Sequence, residues 1–95
     1  MRLTASEIEA IKQTTREVFG PNARVSLFGS RARDDGKGGD IDLYIASPSG
    51  QDFDHKVRFL LALDERLGEQ KVDVIYAEDP ARPVERQAIL TGIPL

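Results

Sequence analysis

The chain has 95 residues, enough for one domain with a single core spanning 1–95 and no second substrate-binding domain. Its 13 lysines and arginines against 16 aspartates and glutamates give a net charge of −3, without the basic excess that tracks a nucleic-acid backbone, so a polynucleotide substrate is disfavoured. The absence of cysteine excludes disulfides and thiolate metal sites, and no apolar run approaches the roughly 18 residues of a membrane span. The start, Met1-Arg2-Leu3-Thr4-Ala5-Ser6-Glu7, leads into a charged amphipathic pattern and not an apolar leader core, which predicts a cytoplasmic protein.

The first predicted element is a helix with Thr4 or Ser6 as N-cap, because either is followed three residues on by Glu7 or Glu9 and so offers a capping box. Ile8, Ile11, Thr15, Val18 and Phe19 form its apolar stripe, and Gly20-Pro21-Asn22 stops it. Arg24-Val25-Ser26-Leu27-Phe28 alternates and reads as a strand that delivers Gly29 and Ser30 to its end. Glycine there permits close backbone approach, and Ser30 offers an amide and a hydroxyl at the start of a short helical segment, a favourable place for a phosphate. Gly and Ser also serve strand-to-helix corners for conformational reasons alone. Arg31 and Arg33 follow, one suited to an aspartate partner and the other to a triphosphate, with surface solvation as the plain alternative.

A hydrophilic, glycine-rich loop spans 34–39. It lacks the glycine and Ser/Thr positions of a Walker loop, the spacing of a dinucleotide site and the closing Glu of an EF-hand. Asp40-Ile41-Asp42-Leu43-Tyr44-Ile45 then predicts a strand. Alternation puts Asp40 and Asp42 on one face and Ile41 and Leu43 in the core. Two carboxylates so placed repel unless a cation lies between them, and hard oxygen ligands select Mg2+ or a similar ion.

Ser47-Pro48-Ser49-Gly50 is a loop, after which Asp52 caps a second helix over Phe53–Leu67, ended by Gly68. Val57, Leu60, Leu61, Asp64 and Leu67 show its helical period, and His55, the only histidine, falls in its exposed first turn without an assigned role. Val72–Tyr76 is the next strand. Asp73 faces away from Val72 and Val74, so its side chain reaches the Asp40 and Asp42 site if the two strands are neighbours; a surface charge that fixes register is the alternative. Pro80-Ala81-Arg82-Pro83 breaks the chain before a short helix over 84–90, and Ile93-Pro94-Leu95 adds an edge strand or packs on a partner. Helix, strand, corner, strand, helix, strand, helix is the order of an α/β fold with a small mixed sheet flanked by helices.

Gly29-Ser30-Arg31-Ala32-Arg33, a short loop, Asp40-Ile41-Asp42-Leu43 and the later single aspartate Asp73 together resemble the signature of the DNA polymerase β-like nucleotidyltransferase superfamily, specifically its minimal nucleotidyltransferase (MNT) branch. The likeness covers roughly residues 25 to 76. Gly39 stands where Ser is commoner in that family and Asp34 where Gly is usual, while the aspartates are intact. The resemblance implies a polymerase β-like nucleotidyltransferase core, two Mg2+ ions on Asp40, Asp42 and Asp73, and ATP as substrate held by Gly29, Ser30 and Arg33. Because relatives that modify small molecules or polymerise carry further domains, it also implies an acceptor on another protein. Minimal members of this size are antitoxins of HEPN-domain toxins, so the expected reaction is AMP transfer to a toxin tyrosine. Two other readings stand beside it: an antitoxin that works by contact with a vestigial site, and a small-molecule nucleotidyltransferase acting as a homodimer.

Overall fold

The computed structural model describes residues 1–34 and 39–95, so the centre of the glycine-rich loop, with Gly36 and Lys37, lies outside the described residues. The chain runs α1 (Ala5–Phe19), β1 (Arg24–Phe28), a single 3-10 turn (Gly29–Ala32), β2 (Ile41–Ala46), α2 (Phe53–Leu67), β3 (Val72–Tyr76), α3 (Pro83–Thr91) and β4 (Ile93–Pro94). The strands form one sheet in the order β3-β2-β1-β4. It is mixed: β1 pairs antiparallel with β2 and β4, while β2 and β3 are parallel and joined through α2. This is the α/β architecture expected, with β4 taking the edge-strand alternative.

Of the two possible N-caps for α1, Thr4 is the one used. Its hydroxyl accepts from the Glu7 amide at 3.1 Å and its own amide donates to the Glu7 carboxylate at 2.8 Å, a complete capping box. Asp52 caps α2 through the His55 amide at 2.8 Å. The third helix opens one residue earlier than expected, at Pro83, where a missing amide proton costs nothing.

Two helices, α1 and α2, cover one face of the sheet. Ile11 and Phe19 from α1, Phe59 and Leu63 from α2, and Val25, Leu27, Ile41, Leu43, Ile45, Val74 and Tyr76 from the strands make the core. Here α2 departs from its expected stripe. Phe59 and Leu63, one turn apart, are the fully buried pair, with Leu60 and Leu67 partly buried beside them, whereas Leu61 is 64% exposed. Two overlapping apolar stripes exist on this helix, and the long-range fit of Phe59 against Phe19, centroids 5.5 Å apart, decides between them. Among the described residues no helix is long and apolar enough to cross a membrane.

The opposite face carries Asp42, Tyr44 and Asp73 and is crossed by α3. The anchor is Glu85, whose side chain is fully buried. It accepts from the Tyr44 hydroxyl at 2.9 Å, the Glu78 and Asp79 amides at 2.9 and 2.8 Å, and the Arg82 guanidinium at 3.2 Å. Burial alone would raise its pKa. The donors, led by the two amides, outweigh that and hold the carboxyl below the usual range. A depressed carboxyl pKa stabilises the fold above the ordinary glutamate range, and the stabilisation is lost as pH falls through the lowered value. Glu85→Gln is therefore expected to lower the denaturation midpoint at pH 7, with the gap to wild type closing as the pH is taken down through 4; a gap independent of pH would contradict this wiring.

Candidate active site

The site grows out of strand register. In β2, Ile41, Leu43 and Ile45 are fully buried against the helices, so Asp42 and Tyr44 must face the other way. Asp42 lies directly across from Phe28 of β1 on one side and Asp73 of β3 on the other. Neighbours across a sheet point to the same face, so Asp42 and Asp73 stand side by side. Asp40 immediately precedes β2 and does not open it, as the sequence had suggested. Its carboxylate is 3.5 Å from the Lys71 ammonium.

Gly29 follows Phe28 and so sits at the mouth of this carboxylate pair. Its φ is +74°, and a Cβ placed there would run into the Asp42 carboxylate. Glycine is thus required twice, for conformation and for space. Gly39 has φ +92°, and a Cβ there would meet the Ser30 hydroxyl. A side chain at this position would be strained by the backbone conformation and would have to displace the Ser30 hydroxyl. The corner is one 3-10 turn of four residues, too short for a helix dipole to act on an anion. What it offers a phosphate is the Ser30 hydroxyl and local amides.

Electrostatically the pocket is short of positive charge. Burial raises the Asp42 pKa, the charges of Asp73 and then Asp40 raise it further, and Lys71 opposes them. The carboxylates beside Gly29 line an open groove of about 460 Å³, with Lys56, Val84 and Gln87 on its walls. A second groove of about 490 Å³, floored by Val25 and rimmed by Lys12, Arg16 and Arg24, lies at the far end of β1 and contains no carboxylate side chain.

Sequence reasoning missed the brace that holds the corner. The Arg2 amide donates to the Arg31 carbonyl at 2.8 Å, and its guanidinium donates to the carbonyls of Ser30 at 2.8 Å and Arg33 at 3.0 Å. Arg31 donates in turn to the carbonyls of Arg2 and Gly39, both at 3.2 Å, and to Gln70 at 3.1 Å; Gln70 then reaches Glu7 at 2.7 Å. Arg31 is therefore engaged with backbone carbonyls and the Gln70 side-chain amide rather than with an aspartate. Arg33 ends the turn, its amide donating to the Ser30 carbonyl at 3.2 Å. His55 packs on Phe19, rings 5.9 Å apart, and bonds Asp52 at 2.8 Å, and it does not line the groove that holds Asp42 and Asp73.

Among the described residues no three acidic or histidine side chains converge tightly enough to hold a metal ion. Their chemistry nonetheless fits a hard divalent cation: the donors are carboxylate oxygens, and Asp42 and Asp73 stand side by side on adjacent strands.

A mixed sheet that sets aspartates on adjacent strands beside a Gly-Ser corner is an arrangement suited to a divalent cation and a phosphate. The chain belongs to the polymerase β nucleotidyltransferase family, whose profile matches residues 8–95. Its fold is similar to that of a chain in the crystal structure of a toxin-antitoxin MntA-HpeT mutant, with a TM-score of 0.72 over 93% of this chain and 70% of that one. At 18% identity this likeness shows the shared fold. No curated protein sequence matches the chain.

A carboxyl whose folded pKa is raised costs stability when ionised, and the cost vanishes as pH falls below the ordinary aspartate range. In EDTA at pH 7, Asp42→Asn should therefore melt higher than wild type, with the advantage lost near pH 3. Added Mg2+ should raise the wild-type midpoint and leave the variant unmoved. Gly29→Ala should cost about 1–2 kcal/mol from the left-handed backbone and, by displacing the Asp42 carboxylate, weaken the Mg2+ response in the same thermal scan.

Proposed function

We propose that the chain is a Mg2+-dependent nucleotidyltransferase that moves AMP from ATP onto a hydroxyl of a partner protein, and that it serves in the cytoplasm as the antitoxin of a HEPN-type toxin. The observation that carries the transfer chemistry is the register that sets Asp42 beside Asp73 at the mouth formed by Gly29. Family membership supports nucleotidyl transfer. The antitoxin reading is supported by the fold shared with a chain of a toxin-antitoxin complex, a mutant in which two aspartates spaced two apart are replaced by glutamate, the spacing of Asp40 and Asp42 here.

In this reading Asp40, Asp42 and Asp73 hold the metal, two ions being the expectation. When bound, Mg2+ supplies Lewis-acid stabilisation of the phosphoryl oxygens and of the attacking oxygen. The chain's own residues do the rest. The amides of Gly29 and Ser30 and the Ser30 hydroxyl hold the β- or γ-phosphate, meeting charge as it develops on the leaving pyrophosphate. Arg33 adds paired donors to the triphosphate. Asp73, the exposed member of the trio, faces the acceptor and takes its hydroxyl proton as general base. The acceptor oxygen bonds to the α-phosphorus, the bond from that phosphorus to the bridging oxygen breaks, and pyrophosphate leaves.

The test is incubation of the purified chain with labelled ATP and Mg2+, with and without its toxin partner, followed by mass spectrometry. An added AMP on a partner tyrosine is expected. The double variant Asp40→Ala/Asp42→Ala should lose at least roughly 10²-fold of the transfer, the scale of removing groups that stabilise transition-state charge. Neutralisation of the partner with no label on any protein would replace the proposal with a contact-only antitoxin. Label on a small hydroxyl compound alone would replace it with a small-molecule enzyme.

A further inference from the structure

The sheet ends on β3, the strand that carries Asp73, and among the described residues nothing pairs with its outer side. The Lys71 carbonyl accepts from the Ile41 amide, and the Ala77 amide donates to the Ile45 carbonyl, so residues 71 and 77 turn their backbone groups inward to β2. The period of two along a strand assigns 73 and 75 the same direction. The amides and carbonyls of Val72, Val74 and Tyr76 are left facing outward, and none has a partner among the described residues. Val72–Tyr76 contains no proline, and Asp73 is its one charged side chain. The groove of about 460 Å³ that holds Asp42 runs along this edge, with Val72, Asp73, Val74 and Ile75 in its lining.

We infer that the β3 edge is the acceptor-docking site, and that its occupant is an extended segment of the partner protein that adds to the sheet as a fifth strand with its hydroxyl residue across from Asp73. The inference rests on the AMP-transfer reading and adds how the acceptor is presented. Sheet geometry supplies the placement. Because Asp73 bonds inward, its position is a non-hydrogen-bonded one toward an antiparallel newcomer, where facing Cα atoms lie only about 4.5 Å apart and side chains are closest. The residue across from Asp73 points to the same face as Asp73, and therefore as Asp42. Its immediate neighbours point to the other face, where Leu60 and Lys56 line the groove. Lys56 lies over the Tyr76 ring at 5.7 Å and has no carboxylate partner among the described residues. The occupant's residues beside the hydroxyl are accordingly acidic or apolar. Main-chain bonding gives affinity and alternating side chains give selectivity, as in other strand-addition complexes.

A Thr/Val-rich octapeptide with one central tyrosine and a glutamate on each side is the probe. Three readouts are taken with the full chain: Mg·ATP binding by thermal shift, AMP on the peptide by mass spectrometry, and amide hydrogen exchange with and without peptide. Transfer to the peptide together with slowed exchange at Val72, Val74 and Tyr76 is expected. N-methylation of the peptide at the amides facing β3 should abolish transfer, while N-methylation at the alternate amides should not. Val72→Pro, which removes an outward amide without touching the β2 ladder, should reduce transfer roughly two- to tenfold and leave the Mg·ATP shift intact. Transfer indifferent to both N-methyl series, exchange protection confined to α2 or α3, or no label on the peptide despite a normal Mg·ATP shift would each overturn the inference. So would protection of the same amides without peptide that grows with protein concentration, since the occupant would then be a second copy of this chain. Loss of the Mg·ATP shift in wild type would instead sink the nucleotidyltransferase reading beneath it.

Discussion

Like charges held side by side on neighbouring strands are costly, and in this protein the sheet holds them there. Asp42 has Asp73 across from it on β3 and Asp40 just upstream, with the Lys71 ammonium opposing their charge. What keeps the arrangement from relaxing is the other face of the same strand. Ile41, Leu43 and Ile45 are fully buried, and a one-residue slip that separated the aspartates would turn all of them to solvent. Each fully buried aliphatic side chain contributes about 1.5–3 kcal/mol, so the core outweighs a partly solvated carboxylate repulsion.

Much of this was legible in the sequence because it is local. Alternation in Asp40-Ile41-Asp42-Leu43 separates core from site without any tertiary information, and the bounds of α2 and β3 follow from Asp52, Gly68 and the Val72 to Tyr76 run. The site's third aspartate was legible as a face but not as a neighbour; only the parallel pairing of β2 with β3 brings it to Asp42. Other features were opaque for the same reason. Arg2 bracing the Ser30 and Arg33 carbonyls, Gln70 linking Arg31 to Glu7, and Tyr44 donating to Glu85 all join residues far apart in sequence. The stripe on α2 failed differently. Both Phe59/Leu63 and Val57/Leu61 are one turn apart, and periodicity alone cannot choose between two apolar stripes on one helix.

The braces divide the labour around the site. Arg2, Arg31 and Gln70 tie the N-terminus, the loop end at Gly39 and the entry to β3 onto the Gly-Ser corner, fixing the phosphate-facing half. Glu85 ties β2 through Tyr44, the segment after β3 through Glu78 and Asp79, and α3 to one another, fixing the carboxylate half and the wall that carries Val84 and Gln87. Neither brace uses a residue of the aspartate trio. Both halves are thereby preorganised by groups that remain satisfied whether or not the carboxylates carry a cation. The remaining open side is β3.

Everything proposed for this site depends on a divalent cation binding where Asp42 and Asp73 meet. Titrating Mn2+ into the chain and recording paramagnetic broadening of assigned backbone amides tests this most directly. Broadening centred on Gly29, Asp42 and Asp73, relieved by excess Mg2+ and absent in Asp42→Asn, is the result predicted. Broadening elsewhere on the surface, or at these residues but unchanged by Asp42→Asn, would show that the aspartate pair is not the metal centre and would contradict the account.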